Sequence, residues 1–373
     1  MQQVDKVNLA AKAQRYSSLK YTLSIVETVY FLIILLLFAG TGASRILAEV
    51  ILNFTTNYYI ILPLYLLSIG ILFYFLNFPL SFYHSYILEH KFSLSSQKVI
   101  DWLKDQIKSG AISYIIGVIL IGTFYYILRR YSNIWWLIVS LFWIFFNLLL
   151  AKLTPVIIIP LFFKYKKLAN EGLRERIMNL AKRMKVRILD CYEIDFSKKT
   201  LKANAAFVGM GKTRRVLLAD TLTDKYSDDE IEVILAHEFS HYKLKHLLKL
   251  VLVSSTATIL TFYLIFRTND YILGLFGFDS LSEIAALPVV FIYFVIFGII
   301  MRPFENYISR RMERNADKLA LKITGFKDGF ISMMDKLATQ NLADRKPHPL
   351  IKFFFFDHPP IDERILIAKN LQS

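Results

Sequence analysis

Six long apolar runs decide the architecture of this 373-residue chain before any motif is considered. They fall at about 22–40, 57–83, 111–128, 134–150, 247–266 and 284–301, each close to the roughly 20 residues that a helix needs to cross a bilayer. The fourth has a ready continuation past Lys152, through PVIIIPLFF at 155–163. Core helices of a large globular protein would be the other reading. Six such runs, in a chain with 55% hydrophobic and only 20% charged residues, set it aside. A mainly α, multi-pass membrane protein is expected.

The formal net charge of +15 would suit nucleic-acid binding if the cations formed one basic face. They do not. Lys6, Lys12, Arg15 and Lys20 precede the first run; Lys91, Lys98, Lys104 and Lys108 follow the second; Arg302, Arg310, Arg311 and Arg314 follow the last. In a six-span layout these ends share one side. The opposite loops hold Arg45, Arg267 against Asp270, Asp279 and Glu283, and one dissenting pair, Arg129 and Arg130. By the positive-inside bias both termini and the polar segment 164–246 are cytoplasmic, and the charge reports topology, with no nucleic-acid partner. Residues 1–20 are polar and too long for a signal n-region, so the first run reads as an uncleaved anchor. Cys191 is the only cysteine, which excludes an internal disulfide and a thiolate metal cluster.

The chain divides into an N-terminal membrane bundle of four spans (1–163), a polar segment (164–246), two further spans (247–301) and a C-terminal polar segment (302–373). Neither polar piece can bury a good core alone, so the two are expected to fold together. Between the second and third spans, EHKFSLSSQKVIDWLKDQIKSG (89–110) mixes Phe92, Ile100 and Trp102 with charges, the pattern of an interfacial amphipathic helix. EGLRERIMNLAKRM (171–184) has helical apolar spacing, and VRILDCYEID (186–195) is β-rich. NAAFVGMGKTRRVLLAD (204–220) reads as a hairpin around Gly211, Lys212 and Thr213. Ser227 with Glu230 forms a capping box, and Asp228 and Asp229 suit the positive end of the helix dipole. Neither Pro nor Gly intervenes before the fifth run, so one continuous helix is expected from there into the membrane.

That helix carries ILAHEFSHYKLKH (234–246). His237 and His241, four apart, are separated by about 40° around a helix and can present both imidazoles to one cation. Glu238 lies beside the first; in H-E-x-x-H sites this carboxylate is no ligand but takes a proton from water that the metal acidifies. A charged helix face is the plainer alternative. His246 would be turned by about 140° from His241 on an unbroken helix and point elsewhere, so the third protein ligand must come from another segment. SRRMERNADKLAL (309–321) is the best candidate. Glu313 and Asp317 share a helix face there, so Glu313 can bind metal while Asp317 accepts a hydrogen bond from a ligand imidazole or assists proton transfer. Solvated pairing with Arg310, Arg314 and Lys318 would leave the same pattern. In FFDHPPIDERI (355–365), His358 and Arg364 could donate to an oxyanion, although a histidine beside Pro-Pro is also an ordinary turn residue. KANAA (202–206) places Asn204 at the start of a candidate edge strand, to which an extended peptide can add.

AHEFSHYKLKH, RRMERNADKLAL, KANAAFVG and DHPPIDERI together resemble the segments of the CAAX prenyl protease type I family, membrane-embedded zinc metallopeptidases of the gluzincin kind. The likeness extends to EHKFSLSSQKVIDWLKDQIK and PLFFKYKKL and covers the chain from about residue 10. H-E-x-x-H alone is shared by many zincins; its combination with this membrane layout is specific. The resemblance implies a helical membrane barrel enclosing a water-filled chamber, with a small α/β zincin-like catalytic domain. It further implies one zinc ion bound by His237, His241 and Glu313, with Glu238 as the base. By the same likeness Asp317 is the acid behind a ligand or a proton donor. His358 and Arg364 flank the transition state, and Asn204 with Ala205 lines the substrate backbone. The familiar eukaryotic members have seven spans, and this chain lacks the first of them.

The expected activity is therefore endopeptidase cleavage near hydrophobic or prenylated C-terminal tails. A chamber with apolar walls would admit unprenylated tails equally, which keeps membrane-protein quality control as an alternative. A transporter or scaffold with structural histidines is the non-enzyme alternative. Leu247 lies six residues after His241 and Glu313 twelve after Met301. These are roughly 9 Å and at most roughly 18 Å along a helix, so the metal is expected within about 20 Å of the hydrocarbon boundary. Pro303 is a candidate break in the second path.

Overall fold

A computed structural model describes residues 2–209 and 214–371. Helix α1 (Gln2–Gly40) is followed by α2 (Ala43–Phe54) and α3 (Tyr58–Phe82). A π-helical turn at Tyr83–Ile87 leads into α4 (Leu88–Lys91), then α5 (Val99–Arg130) and α6 (Trp135–Leu153). A second π turn, Thr154–Ile158, carries α6 into α7 (Ile159–Phe162). It falls on Pro155, whose ring nitrogen cannot donate to the carbonyl of Ala151. The polar segment contains β1 (Tyr165–Lys167), α8 (Glu171–Arg183), β2 (Cys191–Ile194), β3 (Ala205–Val208), β4 (Arg215–Ala219), α9 (Asp220–Thr223) and α10 (Asp228–Lys243). The long helices α11 (His246–Leu275) and α12 (Leu287–Thr324) follow, then α13 (Lys327–Gln340), α14 (Pro349–Phe355) and α15 (Ile361–Asn370).

Among the described residues six continuous helices are long and apolar enough to cross a membrane: Asn8–Gly40, Tyr58–Lys91, Val99–Arg130, Trp135–Phe162, His246–Leu275 and Ile284–Thr324. They coincide with the six apolar runs and extend well past most of them, because the helices continue into water beside the polar segments. The fourth does run on through 155–162, and Pro303 lies inside α12 without ending it. Among the spans, a core built on Leu62, Tyr65, Phe124, Tyr125, Phe262 and Val289 ties the bundle together. At one end of the bundle Arg129 stacks 3.8 Å from the Tyr58 ring and donates to the Ser282 carbonyl at 3.2 Å. This dissenting cation is thus a structural clamp between loops.

Two connections depart from expectation. Residues 89–110 are not a separate interfacial helix. Instead α4 ends at Lys91, Ser93 turns the chain with a left-handed φ of 59°, and Ser95 pairs with Thr200 in an isolated β-bridge. The amphipathic stretch is the emerging start of α5, with Trp102 buried and its Nε1 donating to Ser85 Oγ at 3.1 Å. Its mixed polarity belongs to the first turns of one continuous helix, whose later turns are apolar. The second departure is at Lys245, whose left-handed backbone (φ 56°, ψ 35°) separates α10 from α11. Neither Gly nor Pro marks that break. Helix α2, between the first two spans, is a further short element that the run-length argument passes over.

The two polar segments share one core, as expected. Leu173, Ile177 and Leu180 of α8, Leu218 of β4, Phe239 of α10 and Phe330 of α13 all belong to it. The sheet order is β1-β2-β4-β3, with β2 and β4 parallel and the other pairs antiparallel. The hairpin is β3 with β4, register Ala205 to Leu218, and its expected tip at Gly211 to Thr213 lies outside the described residues. Strand β3 is therefore an edge. Helix α10 starts with both hydrogen bonds of the capping box, Ser227 N to Glu230 at 2.8 Å and Glu230 N to Ser227 Oγ at 3.4 Å. It packs along α12, where Ala236, Ala316 and Ala320 are each fully buried and permit a close approach of the two backbones.

Candidate metal centre

Helix α10 presents His237 and His241 on the face that meets α12, and α12 answers with Glu313 and Asp317. His237 Nε2 lies 3.1 Å from His241 Nε2 and 3.2 Å from Glu313 Oε2, and His241 Nε2 lies 3.1 Å from Glu313 Oε1. These three side chains converge from two helices, and their ligand atoms all lie within 4.8 Å of one another. Ligand atoms about 2 Å from a tetrahedral ion stand roughly 3.3 Å apart, so the separations fit a single small cation. Two further observations agree. Glu313 Oε2 is buried with no donor aligned on it, although an imidazole nitrogen faces it. Burial lowers the His237 pKa, yet the Asp317 carboxylate, and then that of Glu313 beside it, outweigh that and raise it to about 9. The pocket's field favours a positive charge at this spot.

Behind the ligands the packing is specific. Asp317 is fully buried; its Oδ1 lies 2.8 Å from His237 Nδ1, and its two oxygens accept from Arg364 Nη2 at 2.6 Å and Nε at 2.8 Å. Arg364, also buried, is thereby a bidentate clamp on Asp317, with Nη2 3.5 Å from His237 Nδ1. Glu313 and Asp317 consequently do not pair with their helix neighbours in solvent. Arg310 instead donates to the carbonyls of Lys352 and Phe356, and Asn306 to that of Phe354 at 2.8 Å, which ties α12 to the segment carrying His358. His358 is half exposed, its Nδ1 2.8 Å from Asp357 Oδ1 and its Nε2 3.5 Å from Glu313 Oε2. Burial pulls its pKa down, but Asp357 and the Glu313 charge hold it above its ordinary value. Glu238 is half-buried and makes no hydrogen bond or ion pair among the described residues.

Asn204 is exposed at the head of β3; its carbonyl accepts from Ala219 N at 3.0 Å and its side chain is unengaged among the described residues. Phe207 fixes the strand against α10 by edge contacts with Phe239 and Tyr242 at 5.1 and 5.9 Å between ring centroids. One histidine departs from expectation. His246 does not point away: the break at Lys245 returns it to the site, buried, with Nδ1 3.1 Å from His241 Nδ1. Nothing in the residue pattern signals this contact, because it depends on one backbone angle.

Two cavities flank α12 on its membrane side. One of about 580 Å³ lies against α6 and α11 and is lined by Asn147, Ser254, Asn306, Ser309 and Asp357. The other, of about 710 Å³, lies against α1 and α3 and is lined by Glu27, Asn77, Ser81, Arg302 and Glu305.

A histidine pair and a glutamate joined across two helices, one of which continues as a membrane span, define a class: membrane-embedded metallopeptidases of the H-E-x-x-H type. Comparison with known proteins agrees. Residues 3–164 match the family described as CAAX prenyl protease N-terminal, five membrane helices, and residues 167–372 match peptidase family M48. The chain belongs to peptidase family M48, among the CAAX prenyl proteases, and is a membrane metalloprotease. Within 3–164 it supplies four helices of spanning length, with the short α2 between the first two. It is 32% identical over 286 residues to the uncharacterized metalloprotease YhfN of Bacillus subtilis, covering 76% of this chain and 67% of that protein. It is 31% identical over 310 residues to CAAX prenyl protease 1 of Saccharomyces cerevisiae, covering 78% and 68%. The crystal structure of S. mikatae Ste24p superposes with a TM-score of 0.87 at 25% identity, over 97% of this chain and 89% of that one.

Proposed function

We propose that this chain is a zinc endopeptidase that cleaves peptide segments held at the bilayer, with His237, His241 and Glu313 as ligands. The observation that carries the reading is the convergence of those three side chains within 4.8 Å on one gap, with Glu238 adjacent to the first. Two imidazoles and one carboxylate leave an open position, the donor set of catalytic zinc sites. Bound there, zinc would supply Lewis acidity, polarising a scissile carbonyl and lowering the pKa of water. Glu238, half-buried and without a hydrogen-bond or ion-pair partner among the described residues, can take a proton on its carboxylate and return it to the leaving amine. Asp317, sealed from solvent, orients His237 and exchanges no proton with substrate. His358 turns Nε2 toward the same gap and can donate to an oxyanion, while Arg364 adds positive charge behind it. The outer edge of β3 accepts an extended peptide as a further strand, with Ala205 in its register and Asn204 reaching its carbonyl.

Substrates with hydrophobic or prenylated C-terminal tails fit the membrane spans that flank the centre and the relatives named as CAAX prenyl proteases. Both termini and the metal centre are assigned to the cytoplasm, on the cation-rich side of the spans. The test is metal analysis and peptidase assay of detergent-purified wild type and Glu238→Gln. Zinc should be present in both, with cleavage reduced by about 10²–10⁴-fold in the variant. A zinc-free protein, or undiminished cleavage by the variant, overturns the mechanism. Matched prenylated and unprenylated peptides then define the substrate: equal rates would exclude a prenyl requirement and favour quality control.

A further inference from the structure

The two histidines of the centre are held from behind by different acceptors. His237 uses Nε2 toward the ligand gap and Nδ1 toward the Asp317 carboxylate at 2.8 Å. His241 also uses Nε2 toward the gap, 3.1 Å from Glu313 Oε1, so its Nδ1 is the nitrogen left to carry a proton. The group facing that Nδ1, at 3.1 Å, is the Nδ1 of His246. The rings meet edge to face, 5.0 Å between centroids and 78° between planes. His246 is 1% exposed, so no bulk water competes for the contact.

Sequence spacing alone would forbid this meeting. On an unbroken helix the two residues stand about 140° apart. The chain closes the gap by ending α10 at Lys243 and placing Lys245 in the left-handed region, from which α11 starts at His246. A lysine there is strained relative to glycine. A strained residue between two helices, and a buried histidine aimed at the back of a metal-facing histidine, are independent observations that converge on one atom pair.

We infer that His246 is a positioning residue for metal binding: its Nδ1 accepts the Nδ1–H of His241 and fixes the tautomer that leaves Nε2 free as a ligand. It is not itself a ligand, since its Nδ1 meets the rear of His241. The inference rests on the zinc reading above. Acceptors behind ligand histidines typically contribute 10–100-fold in metal affinity. Here that contribution comes from a neutral imidazole on the first turn of a membrane-spanning helix.

The test is zinc affinity of the full-length, metal-stripped protein in detergent, measured by chelator competition. The cobalt-substituted d–d spectrum and the metal-free melting temperature are read alongside. Asparagine places its Oδ1 where histidine has Nδ1; glutamine places its amide near the Nε2 position; leucine offers no acceptor. His246→Asn should bind zinc within about threefold of wild type and keep its cobalt spectrum, whereas His246→Gln and His246→Leu should lose about 10–100-fold and shift it. If His246→Leu fails to fold, the Asn and Gln pair still decides. Affinity of His246→Gln equal to wild type, or Asn and Gln variants that are indistinguishable, overturns the assignment. A wild type that binds no zinc overturns the metal reading itself, an outcome distinguishable from failure of His246 alone.

Discussion

Asp317 is the charge on which the inner part of the site depends. It is fully buried, accepts two hydrogen bonds from Arg364 and orients His237 through Nδ1. Asp317→Asn keeps the shape but leaves Arg364 as an uncompensated buried cation. The expected outcome is a loss of about 3–5 kcal/mol of stability and of about 10–100-fold in zinc affinity. Melting temperature and chelator competition on the same preparation check both; an unchanged affinity would show that orienting His237 needs only an oxygen acceptor and not the Asp317 charge. At this scale the convergence of the side chains was legible, because His237 with His241, and Glu313 with Asp317, are four apart and a helix brings such pairs onto one face. The partners of those residues were not. That Arg364 clamps Asp317 follows from packing between α12 and α15, and that His246 reaches His241 follows from one φ at Lys245.

At the level of elements, the break between α10 and α11 is the joint on which the geometry turns. Lys245→Gly accepts the left-handed angle with ease, whereas a β-branched valine there is a severe outlier. Lys245→Val is therefore expected to shift the start of α11 and weaken zinc binding by about tenfold or more, with Lys245→Gly close to wild type. Chelator competition distinguishes them, and equal affinities would mean that the joint is not what sets His246. Run length and hydropathy located six spans, and the Ser227 capping box located the start of the histidine helix. Periodicity misread 89–110, since a helix entering a bilayer at an angle to its surface and one lying along that surface mix polar and apolar residues alike. The ends of α4 and α5 there are set by contacts with the distant segment 197–201, which no local pattern encodes.

For the whole molecule, the loops at Ser132 and Asp279 and the surface at Asp328 are expected on opposite sides of the membrane. Cys191 is fully buried, so introduced cysteines report without a competing thiol. In intact cells a membrane-impermeant maleimide should label Ser132→Cys and Asp279→Cys but not Asp328→Cys until the membrane is opened. The reverse pattern would overturn the cytoplasmic assignment of the metal centre. The placement of Glu313 on α12 bears on biogenesis. His237 and His241 emerge from the ribosome before α11, and Glu313 only after α11 and the apolar first half of α12 have been made. With Glu313 as the third donor, a chain whose last hairpin has not yet threaded the bilayer holds an incomplete chelate. Proteolytic competence thus arrives together with correct insertion, and the nascent enzyme is harmless to its neighbours until it has reached the place where its substrates are.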